Sequence, residues 1–291
     1  MIESHTHVQM WPALAITIGL ACTALVYLRG WLSLRGAFPT LIAGWRVAVF
    51  MTGLLAVWIT VASPFAMLDH QSLTLHMVKH LLLMTIAAPL ILVGAPAFPL
   101  ACGLPKLFIR KRSLIASIPK HRLKSIVTHP VFCWVAGTIA VIGWHLPAAF
   151  QLGMHSRGVH MFEDGSFLVA GLLFWWPILQ SPAHEIPSPR WMMALYLFFA
   201  AIPCDILSAF LVFCNRLVYA FYLSKPQLVG ISALEDQECA GALMWVWVTF
   251  AYLIPAVALT LQMLSPSNPQ SGRMLEGVTT RSENDAEAEV L

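Results

Sequence analysis

The stretch His76-Met77-Val78-Lys79-His80 places two imidazoles four residues apart. On a helix, positions i and i+4 share a face, and two imidazoles one turn apart form a common metal-binding pair. Met84 extends that stripe by one turn, and Asp69 lies near the same face if the helix reaches it. Two buried histidines that merely hydrogen-bond to neighbouring helices would show the same spacing, so the pair alone leaves both roles open. His145 stands in Gly143-Trp144-His145-Leu146-Pro147, where an interfacial role competes with ligation. In His160-Met161-Phe162-Glu163-Asp164, His160 and Asp164 share a face, with Glu163 close to it. Acids near a helix amino terminus are also favoured by the helix dipole, so capping and ligation both fit Glu163 and Asp164. Asp205 lies deep in an apolar segment, where a lone carboxylate costs roughly 2.5–3.5 kcal/mol unless protonated, hydrogen-bonded or paired. Asp236 sits in an acidic cluster just before the last apolar segment, and Met244 follows it. Imidazole suits copper, iron and zinc, while thioether and thiol favour Cu(I). The expected metal ligands are therefore His76, His80, His145, His160, Asp164 and Met84, with Asp205, Asp236 and Met244 as secondary candidates. Copper is the expected metal.

The elements that must position these groups follow from composition. The chain has 291 residues, 58% of them hydrophobic and only 11% charged. Its mean hydropathy is +0.74. Soluble domains carry about 25% charged residues, so a water-soluble fold of this length lacks the polar surface to cover itself. A membrane-crossing helix needs about 20 apolar residues, because each backbone amide must find its partner within its own segment. Seven stretches qualify: residues 11–28, 41–62, 73–93, 130–150, 160–179, 191–213 and 240–264. The expected fold is an all-α polytopic bundle of seven transmembrane helices, one domain over residues 1–264. A tail over 265–291, rich in Ser, Asn, Glu and Pro, is expected to be disordered. The first segment has no basic region before it, an apolar run too long for a signal peptide and no small-residue cleavage site after it, so it reads as a span.

Lys and Arg set orientation. With the amino terminus outside, the inner face collects Arg29, Arg35, Arg46, Lys106, Arg110, Lys111, Arg112, Lys120, Arg122, Lys124, Arg190, Arg273 and Arg281. The outer face keeps Lys79, Arg157, Arg216 and Lys225, so the split of the 17 basic residues is 13 to 4. The carboxyl terminus is then cytoplasmic. The inner loop 94–129 mixes these charges with Leu107, Phe108, Leu114, Ile115, Ile118 and Leu123, which suits contact with anionic lipid headgroups. Histidines played no part in that assignment. Of the 11, eight (His5, His7, His70, His76, His80, His145, His155, His160) fall outside or in the outer half, and His121, His129 and His184 fall inside. The six cysteines show no CxxC pair, and no disulfide framework is readable. A net charge of +3 gives nucleic-acid binding no support.

His76-Met77-Val78-Lys79-His80-Leu81-Leu82-Leu83-Met84 is followed by Ala88-Pro89-Leu90 and Gly94-Ala95-Pro96. After these come Trp144-His145-Leu146-Pro147, the run Gly171 to Pro177, and Asp236-Gln237 with Gly241 and Met244-Trp245. Over residues 45 to 255 this ordered set resembles the multi-span CtaG-type cytochrome c oxidase assembly factors. The resemblance implies a bacterial inner-membrane protein that helps mature a haem–copper oxidase, with an oxidase subunit and a periplasmic copper donor as expected partners. It also implies that His76, His80, His145 and His160 match recurring family histidines. One departure stands out: the family pattern His-x-x-Glu-His ends here in Asp164, a harder ligand that suits Cu(I) less well.

Two other classes compete. Histidines from facing helices are the usual axial ligands of haem, so a haem- or quinone-linked redox protein would pair His76 or His80 with His145. A cation permease would run its path past Asp205 and the histidines; neither broken spans nor internal symmetry is clear in the sequence, although Pro89, Pro203 and Pro255 could interrupt helices. There is no GxSxG elbow and no HExxH motif, and an enzyme is not expected.

Overall fold

The computed structural model describes residues 2–36, 43–104, 127–180, 190–225 and 230–264, with the backbone alone for residues 2–10 and 190. Most of the lipid-contact stretch expected in loop 94–129, the tail 265–291, His121, His184 and the side chains of His5 and His7 lie outside the described residues.

All the regular elements among the described residues are helices. In order they form α1 (Ile2–Leu34), α2 (Gly44–Val61), a 3-10 segment (Pro64–His70) and α3 (Leu73–Leu81). A π-turn (Leu82–Ala87) joins α3 to α4 (Ala88–Val93), and α5 (Ala97–Gly103) follows. Then come α6 (Pro130–His145), α7 (Pro147–His155), α8 (Arg157–Leu179), α9 (Arg190–Phe213), a second 3-10 segment (Ala220–Ser224) and α10 (Ala233–Leu264). Among the described residues, six helices are long and apolar enough to cross a membrane: Trp11–Leu34, Gly44–Val61, Leu73–Val93, Arg157–Leu179, Trp191–Phe213 and Ala233–Leu264. Large apolar side chains such as Phe198, Phe213 and Leu264 face outward on them, as a lipid-facing band requires.

The stretch expected as a continuous span over 130–150 is instead broken. Helix α6 stops at His145, and α7 leaves it at 74°. Leu146 is extended, with φ −63° and ψ 131°, because the ring of Pro147 disfavours a helical conformation in the residue before it. A seventh span exists only if this bent pair counts as one.

Span three is continuous through its π-turn, where the Ala88 amide reaches back five residues to Leu83. Pro89 has no amide hydrogen, which disturbs the normal ladder at this point. Tryptophans from two other helices bind here: Trp175 Nε1 donates to the Met84 carbonyl at 3.0 Å, and Trp247 Nε1 donates to Thr85 Oγ1 at 2.8 Å. Helix α8 comes close enough that a Cβ on Gly171 would meet Met84 backbone atoms at 2.9 Å.

The main core gathers Leu73, Met77, Met84, Phe150, Phe167, Phe174, Trp175, Leu211, Met244 and Tyr252 around span three. Helix α1 stands at the edge and packs on α2 and α5. A Cβ on Gly30 would strike the Pro99 carbonyl oxygen, and one on Gly103 the Val26 carbonyl oxygen. Glycine at both positions is what allows these two backbones to touch.

Candidate metal centre

The start of α3 is fixed from another helix. Asp236 of α10 accepts from the amides of Leu73 (2.6 Å) and Thr74 (3.3 Å) and from the hydroxyls of Ser72 (2.9 Å) and Thr74 (2.7 Å). A carboxylate at a helix amino terminus satisfies orphan amides and complements the dipole. Asp236, a secondary ligand candidate by sequence, is thus a cap for its neighbour. Its own helix is capped by Ser232 and Glu235, which exchange amide-to-side-chain hydrogen bonds in the capping-box manner.

One turn into α3, His76 and His80 point the same way. Their Nε2 atoms are 2.9 Å apart. Glu163 Oε1 of α8 lies 3.5 Å from His76 Nε2 and 3.4 Å from His80 Nε2. All three side chains are buried, and these donor atoms lie within 4.8 Å of one another. Among the described residues, neither His76 Nδ1 nor His80 Nδ1 has a hydrogen-bond partner. Phe150 closes one side, its ring 5.2 Å from that of His76, and Phe167 closes the other, 4.1 Å from that of His80.

A second cluster adjoins the first. His160 Nε2 is 2.8 Å from Asp69 Oδ2, and His160 Nδ1 is 3.3 Å from Glu163 Oε2. Lys79 lies between the acids, 2.5 Å from Asp69 and 2.9 Å from Asp164. Asp69, His70 and His160 form another group whose donor atoms could hold an ion. Asp69 precedes the span. Burial opposes its ionisation, but the hydrogen bond from His160 and the charge of Lys79 win and hold its carboxyl below the usual range. Burial lowers the neighbouring His70 imidazole below its ordinary value, although Asp69 pulls the other way. Burial also raises the Tyr222 phenol, which stays protonated and donates to the Asp69 carbonyl at 2.8 Å.

The expected ligands therefore separate. His76 and His80 meet each other, with the His160 ring 5.7 Å from that of His76. Asp164 faces Lys79 rather than the imidazoles. His145 lies apart from them, with Nε2 3.1 Å from Met77 Sδ, and its ring is perpendicular to that of Phe167 with centroids 6.4 Å apart. Met84 and Met244 line the same small cavity as His80 and His145. Asp205 is half-buried in α9, and its Oδ1 has no hydrogen-bond partner among the described residues. Lys79, assigned to the outer surface by sequence, is 5% exposed and belongs to the bundle's interior. Sequence reasoning left Glu163 out of the ligand set and treated Lys79 as a surface charge. The available signal was a lysine and two acids within apolar spans, each of which demands a partner.

The sequence profile described as cytochrome c oxidase caa3 assembly factor matches residues 25–265. Two uncharacterized proteins, one of Mycobacterium bovis and one of Mycobacterium tuberculosis, are each 23% identical to the chain over 247 residues, covering 82% of it. That overlap is 37% of each relative, so the chain spans little more than a third of their length. No solved structure matches the chain. The profile takes in α2 to α10 and every residue of both clusters, and this membrane protein belongs to the cytochrome c oxidase caa3 assembly factor family.

Proposed function

We propose that the protein aids assembly of a haem–copper oxidase by taking up copper at His76, His80 and Glu163 and passing it to an oxidase subunit. The copper comes from a donor on the extracytoplasmic side of the bacterial inner membrane, and the protein itself performs no catalysis. The observation that carries this reading is the convergence of two imidazole nitrogens and one carboxylate oxygen, all buried, from α3 and α8. Two nitrogens and an oxygen suit a divalent copper or zinc ion, and the Glu163 charge offsets part of the ion's own. The residues are a cargo site rather than a cage: three donors leave room for an acceptor's ligand to enter before the last bond breaks.

The haem reading is less well supported. It needs room for a porphyrin between His80 and His145, and the cavity there is about 40 Å³, enough for only a few waters.

The test is metal analysis and an optical spectrum on one purified sample. Copper should be present without an intense haem band. His76→Ala with His80→Ala should remove one copper per chain, and cells carrying that variant should make the oxidase polypeptides but lack oxidase activity. Unchanged copper content in the double variant would sink this reading.

A further inference from the structure

We infer that His145 and Met77 form a second metal station, selective for Cu(I), beside the outer cluster and separate from it. The inference rests on the copper reading above but uses different residues.

His145 Nδ1 lies 2.6 Å from the carbonyl oxygen of Val141. A carbonyl can only accept, so Nδ1 carries the proton and donates. The Nε2 lone pair of the neutral ring is then directed at Met77 Sδ, 3.1 Å away, and a thioether has no proton to give. Two electron-pair donors thus face each other with no hydrogen between them, and a cation would turn this contact from repulsive to attractive. No carboxylate hydrogen-bonds to the His145 ring among the described residues. The ring sits where α6 ends, held by Tyr219, whose hydroxyl donates to the His145 carbonyl at 2.9 Å.

The surroundings are soft as well. The adjoining cavity of about 40 Å³ is lined by Met77, Met84, Met244, Cys204, His80 and His145. It thus offers three thioethers, one thiol and two imidazoles, with no acidic group. Imidazole with thioether is a donor set for Cu(I), whereas the outer cluster, with two imidazoles and a carboxylate, accepts Cu(I) through its imidazoles and divalent ions as well. His80 borders both places, so Cu(I) held by the outer imidazoles has a continuous imidazole-to-thioether route inward. Binding here forms Cu–N and Cu–S bonds, releases no proton and changes no oxidation state.

The test uses the full chain in lipid nanodiscs with Cys22, Cys102, Cys214 and Cys239 replaced by Ser, so that accessible thiols do not bind the probe. Cu(I) is delivered from its bicinchoninate complex and counted, and X-ray absorption reads its neighbours. The parent chain should hold two Cu(I) with sulfur in the coordination shell. H76A with H80A should hold one, with sulfur retained. Met77→Leu should hold one, without sulfur, and its second equivalent should bind at least tenfold more weakly. Zn(II) should occupy only the outer cluster and show no sulfur neighbour. A parent chain without a sulfur neighbour, or an M77L chain with both ions and an unchanged sulfur signal, overturns the inner station. The first of these outcomes decides the matter even if M77L fails to fold. Two Cu(I) retained in H76A with H80A would instead overturn the outer site and leave the inner one standing.

Discussion

At the scale of single residues, the most consequential feature is a lysine surrounded by acids inside an apolar bundle. Lys79 is held by Asp69 and Asp164, and Asp69 also binds His160. Removing one partner of a buried ion pair strands the other and typically costs 3–5 kcal/mol. Asp69→Asn is therefore expected to destabilise the protein by about 3 kcal/mol at neutral pH, read as a lower Tm in detergent. The sign of the pH effect follows from the lowered carboxyl of Asp69. A carboxylate with a depressed folded-state pKa contributes its full stabilisation above the unfolded value, about 3.9, and loses it as pH falls below that. The Tm gap between the parent and D69N should accordingly be full at pH 7 and shrink below about pH 4. A constant gap down to pH 3 would show that Asp69 acts through shape rather than charge. The His76–His80 pair was legible in the sequence because it depends on one helix's period alone. The role of Glu163 was not, because which acid meets which imidazole depends on how α8 is rotated against α3. The same limit hid the separation of His145 from His76: Phe167 of α8 faces the rings of both His80 and His145, and nothing in the spacing of the histidines announces it.

At the scale of elements, the candidate metal centre depends on how firmly α3 is started. Four hydrogen bonds from Ser72, Leu73 and Thr74 converge on the side chain of Asp236, and His76 stands one turn further on. Loss of a helix cap costs about 1 kcal/mol, and here it would also free the first turn that carries an imidazole. Asp236→Ala should lower Tm modestly and weaken copper binding severalfold, while Asp236→Asn, which can still accept, should recover most of both. Equal copper affinity in the Ala variant would mean that α3 holds its register by packing alone. The break between α6 and α7 has a local cause that the sequence displays: Leu146-Pro147 follows the histidine directly, and a residue before proline avoids the helical region. Hydropathy favoured a single span because both halves are apolar. The proline decided the geometry, and it left His145 at a helix end where Tyr219 reaches its carbonyl.

At the scale of the whole molecule, the question is which compartment the candidate metal centre faces. Residues of the centre lie near the start of α3 and of α8, and His145 ends α6. All of these termini meet at one end of the bundle, covered by α7 and by the 3-10 segment that carries Tyr222. Helix α6 has 16 residues, which rise about 24 Å, somewhat short of the roughly 30 Å hydrocarbon thickness. The turn into α7 then lays nine further residues across that end. Under the orientation expected from the sequence, with 13 of 17 Lys and Arg inside, this end faces the exterior. Burial of Lys79 fits that expectation, since it removes one positive charge from the outer loops. Orientation can be read by labelling. Gly158 is exposed at the start of α8, and a Cβ there meets open space. Ala97 is exposed at the start of α5, just beyond the other end of span three. In a cysteine-free background, Gly158→Cys in intact spheroplasts should react with a membrane-impermeant maleimide, and Ala97→Cys should react only after permeabilisation. The reverse pattern would place the histidines on the cytoplasmic side. An extracytoplasmic copper donor would then have no access to them, and the proposed direction of transfer would have to be inverted.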